Sequence, residues 1–117
     1  MSLDLSLTAK RSGQVSFDRN ITHNHTRMAE IVPCGDYNLY RMLWHPADDG
    51  FYVLTIEYRA LVAQGLAYMI CNRRELEKLN PSNGWGSYDG LLDFVSEYCM
   101  AMSTWDGEEE IEINAWT

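Results

Sequence analysis

Ser2-Leu3-Asp4-Leu5-Ser6-Leu7-Thr8 alternates leucine with a polar residue at every step. A period of two places the three leucines on one face of a strand and the polar set on the other. Residues 2–8 therefore predict a half-buried β-strand. The polar turn Lys10-Arg11-Ser12-Gly13 comes next, and Val15 and Phe17 resume the alternation. This predicts a hairpin with its second strand over residues 14–18. At the other end, Ile111, Ile113 and Ala115 alternate with Glu112, Asn114 and Trp116, which predicts a last strand. Chain ends of compact domains often lie close together, so this strand is expected to pair with the first.

Between these ends the period becomes helical. Ile21, His25, Met28 and Val32 are spaced by four, three and four. That spacing predicts a helix capped by Thr22 and ended by Pro33-Cys34-Gly35. A second helix carries Leu39, Tyr40, Leu43 and Trp44, with Asp36 as its expected cap and His45-Pro46 as its stop. After the turn at Asp48-Asp49-Gly50, residues 51–54 fit either a short strand or an extended lead-in. Thr55 caps a third helix over 56–72, apolar nearly all round and so expected to be the central buried element. Gly65 inside it costs about 1 kcal/mol relative to Ala, which implies close backbone contact with a neighbour. Residues 73–79 read as a short amphipathic extension. Ser87 caps a last helix over 88–103 whose buried face is Leu91, Val95, Tyr98, Cys99 and Met102. Strands at the ends with helices between them predict one α+β domain over residues 1–117. A small antiparallel sheet, the N-terminal hairpin joined by the C-terminal strand, packs against about four helices.

With 117 residues, 46% hydrophobic and 22% charged, the composition is that of one ordinary globular domain. Ala60 to Cys71 is the most apolar stretch and is too short to span a bilayer. Met1-Ser2-Leu3-Asp4-Leu5 lacks the basic end and long apolar run of a secretory signal. The expected compartment is the cytoplasm. Cys34, Cys71 and Cys99 form neither a disulfide framework nor a zinc pattern and are expected to be buried, reduced thiols. The net charge of -8 argues against free nucleic acid and anionic membranes as partners. It favours a basic protein surface.

Three segments carry a resemblance. Asn20-Ile21-Thr22-His23-Asn24, Leu43-Trp44-His45-Pro46 and Asn80-Pro81-Ser82-Asn83-Gly84-Trp85-Gly86 together resemble a family of small uncharacterised proteins of bacteria, phages and mobile elements. The resemblance spans residues 20–115. It implies a phage-like origin and no established activity, so it assigns no residue a role.

No nucleophile elbow, phosphate-binding glycine loop or dinucleotide fingerprint is present. No catalytic residue and no cofactor is assigned. His23-Asn24-His25, with His45, suggests a metal-dependent hydrolase as the alternative. On a helix, however, residues two apart point about 200° apart and cannot chelate one ion. His25 is expected to be a hydrogen-bonded core histidine, with His23 and Asn24 satisfying backbone groups at the helix start. Trp85 is expected to fold back over the core. Displayed with Tyr88 on its loop, it would be a binding anchor. A structural module that buries Trp85, Trp105 or Trp116 between copies is a third reading.

The charge distribution is more directive. Residues 79–117 hold Asp89, Asp93, Glu97, Asp106, Glu108, Glu109, Glu110 and Glu112 and no Lys or Arg. The nine acids and nine bases of the rest cancel. Asp89, Asp93 and Glu97 recur every four residues and would form one stripe at a spacing of roughly 6 Å. With Glu108, Glu109 and Glu110 beside it, this stripe predicts an anionic face. Such a face could dock on a basic, nucleic-acid-handling protein as a nucleic-acid mimic would, an anti-CRISPR inhibitor being one concrete form.

Overall fold

The structure, a computed structural model, describes residues 1–117. The leucine alternation forms β1, Ser2–Ala9, with Leu3, Leu5 and Leu7 fully buried. It lies in the middle of a three-stranded antiparallel sheet. One neighbour is β2, Val15–Thr22, and the other is β5, Ile111–Trp116. The predicted pairing of first and last strands is present: Leu5 faces Ala115 and Leu7 faces Ile113.

The second strand runs on past residue 18 to Thr22, and Ile21 stands opposite Leu3 within it. Ile21 is two residues from Arg19 and four from His25, so it fits both periods. The apolar slot across from Leu3 decides for the strand. Thr22 does act as a cap, its Oγ1 accepting the Asn24 N–H across 3.4 Å, but it caps a 3₁₀ turn over His23–His25. Helix α1 is only Thr26–Glu30.

Pro33–Cys34 and Tyr37–Asn38 (β3 and β4) then make a small hairpin that the helical spacing did not predict. It displaces the expected cap. Asn38 Oδ1, not Asp36, accepts the Arg41 N–H at 2.9 Å and opens α2, Leu39–Trp44. Residues 51–54 form no strand of their own and run as an extended lead-in beside β5: Val53 makes a single bridge to Glu112, and the Leu54 N–H donates to the Ile111 carbonyl at 2.8 Å.

Helix α3, Ile56–Cys71, starts at Thr55 as predicted, with Thr55 Oγ1 accepting the Tyr58 N–H at 3.0 Å. It is not the central buried element. Only Tyr58, Val62, Gly65 and Met69 are buried, spaced four, three and four. Gly65 has the close neighbour its position implied, since a Cβ there would stand 2.6 Å from Cys34 Sγ. After the short α4, Arg73–Glu77, the most buried helix is α5, Tyr88–Ser103. It lays Leu91, Phe94, Val95, Tyr98 and Met102 into the core. Phe17 of β2 meets the rings of Phe94 and Tyr98 at 5.5 and 4.9 Å. The result is an α+β fold in which α5 and α2 lie against one face of the sheet and the other helices pack around them. No helix is long and apolar enough to cross a membrane.

Candidate interaction surfaces

The stripe of α5 comes out as spaced, with Asp89, Asp93 and Glu97 all exposed. It is not bare. Arg19 stands opposite Leu5 on the core-facing side of β2 and reaches over the Phe94 ring at 5.5 Å. Its Nη1 donates to Asp93 Oδ2 at 3.1 Å and also to Glu97 Oε2. Arg73 of α4 lies over the Tyr88 ring and donates from Nη2 to Asp89 Oδ1 at 2.7 Å. Each carboxylate of the stripe thus faces a cation, which corrects the expectation of an uncompensated helix face. Charge counted along the chain could not show this, because β2 and α4 deliver their arginines from outside the acidic third.

The unneutralised charge lies elsewhere. Strand alternation turns Ser2, Asp4, Ser6 and Thr8 of β1 away from the helices. Asp18 and Asn20 of β2, and Glu112, Asn114 and Trp116 of β5, stand opposite them on the same face. This face is polar and carries Asp4, Asp18 and Glu112; the one cation at its edge is Lys10, which pairs with Glu110 and stands near Glu112. Asn20 Nδ2 donates to Asp4 Oδ1 and to Ser2 Oγ, both at 2.8 Å, which orders one end of it. Trp116 is 72% exposed and sits across from Asp4.

The loop before β5 lies at the end of the sheet, beside the turn that joins β1 to β2. Asp106 Oδ1 accepts the Glu108 N–H at 2.9 Å, and Trp105 Nε1 donates to the Glu109 carbonyl at 2.6 Å. Within the loop Glu110 is paired with Lys10 at 3.0 Å, Glu109 accepts only a long bond from Ser12 Oγ, and Glu108 has no side-chain partner. Trp105 is a half-buried brace of this loop, with Arg59 stacked on it at 5.7 Å.

A second projecting feature is the Asn83-Gly84-Trp85-Gly86 loop. Trp85 is 70% exposed, so the expectation that it folds back over the core is corrected. Tyr88 takes the inner place instead, buried, with its hydroxyl donating to the Met69 carbonyl at 2.6 Å. Tyr88 is thus a core residue and not part of a displayed anchor. The loop is pinned at both ends. Asn80 Oδ1 accepts the Tyr88 N–H at 2.7 Å, Asn83 Oδ1 accepts the Trp85 N–H at 2.9 Å, and the Ser87 N–H donates to His25 Nε2 at 3.0 Å. Gly86 has φ of 96°, and a Cβ there would press on the His25 ring at 3.0 Å, so only glycine fits.

His25 therefore ties two of the sequence motifs together. Its Nδ1 donates to the Thr22 carbonyl at 3.0 Å while Nε2 accepts from Ser87. This is the expected hydrogen-bonded core histidine, and burial holds it below the ordinary histidine range. His23 packs against Trp44 of the third motif, with ring centres 6.3 Å apart. His45 Nε2 is bonded to the Tyr40 hydroxyl at 3.0 Å. Both nitrogens of His25 are engaged, and no three His, Cys, Asp or Glu side chains converge as metal ligands. The histidines do not assemble into the hydrolase site suggested by their sequence.

The cysteines offer no nucleophile at Cys34 or Cys99, because burial pushes their thiols up to about 12 and about 11. Cys71, against expectation, is exposed at the end of α3. Comparison with protein-family models, curated proteins and solved structures finds no match.

Proposed function

We propose that the chain is a protein-interaction module that docks the uncovered face of its sheet, with the Glu108–Glu110 loop, on a basic surface. The observation that carries this reading is the sorting of charge. The helix-face acids are paired with arginine, whereas Asp4 and Asp18 have no ion-pair partner on the open face and Glu112 has only Lys10, already paired with Glu110, at its edge. Such a field speeds encounter with a positive partner and selects against negative ones. Trp116 supplies the aromatic anchor that small interfaces depend on. Trp85, on a loop already held in place, is a second anchor with little conformational entropy to lose on binding.

The partner class is a nucleic-acid-handling protein, whose phosphate-binding groove has the required sign. The resemblance of the motif segments to small phage and mobile-element proteins favours an inhibitor of a host defence complex. Affinity capture from a host lysate tests this reading. A basic protein should be retained by the wild-type chain and released by salt. It should be absent from the Asp4→Lys/Asp18→Lys/Glu112→Lys variant. Equal capture by that variant would refute the reading.

A further inference from the structure

Helix α3 is apolar on both sides, yet the fold covers only one. The face opposite Tyr58, Val62, Gly65 and Met69 carries Ile56, Ala60, Ala63, Ala67 and Ile70, all exposed, with Gln64 and Cys71 along one edge. The two isoleucines are 69% and 61% exposed. A helix apolar all round is ordinarily buried all round, and isoleucines left in water on one face forgo hydrophobic stabilisation that a partner would supply.

We infer that a second copy of the chain covers this face, α3 packing on α3 in an antiparallel, two-fold arrangement centred on Ala63. Self-complementary spacing is one reason to choose a copy of the chain. Ile56 and Ile70 each lie seven residues from Ala63, and Ala60 and Ala67 lie three before it and four after it. A two-fold axis at Ala63 brings Ile56 of one copy to Ile70 of the other, with Ala60 and Ala67 flanking the crossing point on either side. The alanines let the two backbones approach closely. Isologous contacts of this kind match residue i to j and j to i.

Charge is the other reason. Glu57 at the start of α3 and Arg74 just beyond its end have no ion-pair partner within the chain. Antiparallel pairing carries the Glu57 end of each copy toward the Arg74 end of the other, and it opposes the helix dipoles favourably. The strip from Ile56 to Ile70 is only about 21 Å long. The interface is therefore at the small end of stable ones and dissociates on dilution. It lies on the helical side and is independent of the sheet-face reading.

Sedimentation velocity of the full chain from about 1 µM to about 500 µM tests the inference. A reversible monomer–dimer equilibrium is expected. Ile70→Lys should weaken it at least about tenfold, because the lysine ammonium would be desolvated in the contact, while the melting curve of dilute protein stays unchanged. In a Cys71→Ser background, Ala63→Cys should be linked to a dimer by a short bis-maleimide far faster than Ser12→Cys on the hairpin turn. A monomer at every concentration would overturn the inference. So would an Ile70→Lys variant that dimerises as tightly as wild type, or equal crosslinking at positions 63 and 12.

Discussion

Tyr58 and Tyr98 meet hydroxyl to hydroxyl at 2.8 Å in the core, and the Tyr58 hydroxyl also lies 2.7 Å from the Met42 carbonyl, to which it donates. The single Tyr58 proton is committed to Met42, so Tyr98 must donate to Tyr58. Burial raises the pKa of both phenols, and both stay protonated. Tyr58→Phe orphans a carbonyl and a hydroxyl together and should cost about 2–4 kcal/mol. Tyr98→Phe leaves the Tyr58–Met42 bond intact and should cost about 1 kcal/mol. Urea denaturation of the two variants checks the order. His25 makes a pH prediction. The unfolded chain takes up a proton near pH 6.5, whereas the buried folded ring resists it. Stability should therefore be full above that pH and fall as pH drops below it. His25→Gln should flatten this part of the pH dependence in melts taken between about pH 7.5 and 5.5, and at neutral pH it should be less stable because the Thr22 carbonyl loses its donor. The residue type and burial of His25 were legible in the sequence. Its partner was not, because Ser87 is 62 residues away.

At the scale of elements, Gly65 and Cys34 lock α3 to the β3–β4 hairpin. Gly65→Ala should destabilise by about 1–3 kcal/mol through overpacking. Cys34→Ala should relieve much of that loss, a coupling measurable by a double-mutant cycle. The glycine was readable as a contact point from its cost within a helix; the hairpin that meets it was not, since two-residue strands leave no periodicity. Ile21 shows the converse difficulty. It satisfies a period of two and a period of four at once, and only its slot opposite Leu3 assigns it to β2. By contrast, the starts of α3 and α5 obey their caps, because Thr55 and Ser87 act locally and need no distant partner. The α5 ion pairs are exposed, so Arg19→Gln should cost less than about 1 kcal/mol, with the loss shrinking in salt.

For the whole molecule, the sequence announced the fold through its two ends and its charge through one third of the chain. Alternating leucines specify which face of the sheet is inner, and so also which carboxylates are outer. The acidic third was legible as a charge excess. Its useful location was not, because salt bridges depend on which strand and helix are laid beside α5. Folding pairs the predicted helix stripe with arginines and leaves Asp4 and Asp18, from the formally neutral part of the chain, without an ion-pair partner on the sheet face. The most direct test is the affinity of one captured basic partner for three proteins, read at about 50 and about 500 mM salt. Wild type should bind and weaken with salt, and Asp4→Lys/Asp18→Lys/Glu112→Lys should bind at least about a hundredfold more weakly. Asp89→Asn/Asp93→Asn/Glu97→Asn should stay within about threefold of wild type. Unchanged affinity in the sheet-face variant, with loss confined to the α5 variant, would contradict the account.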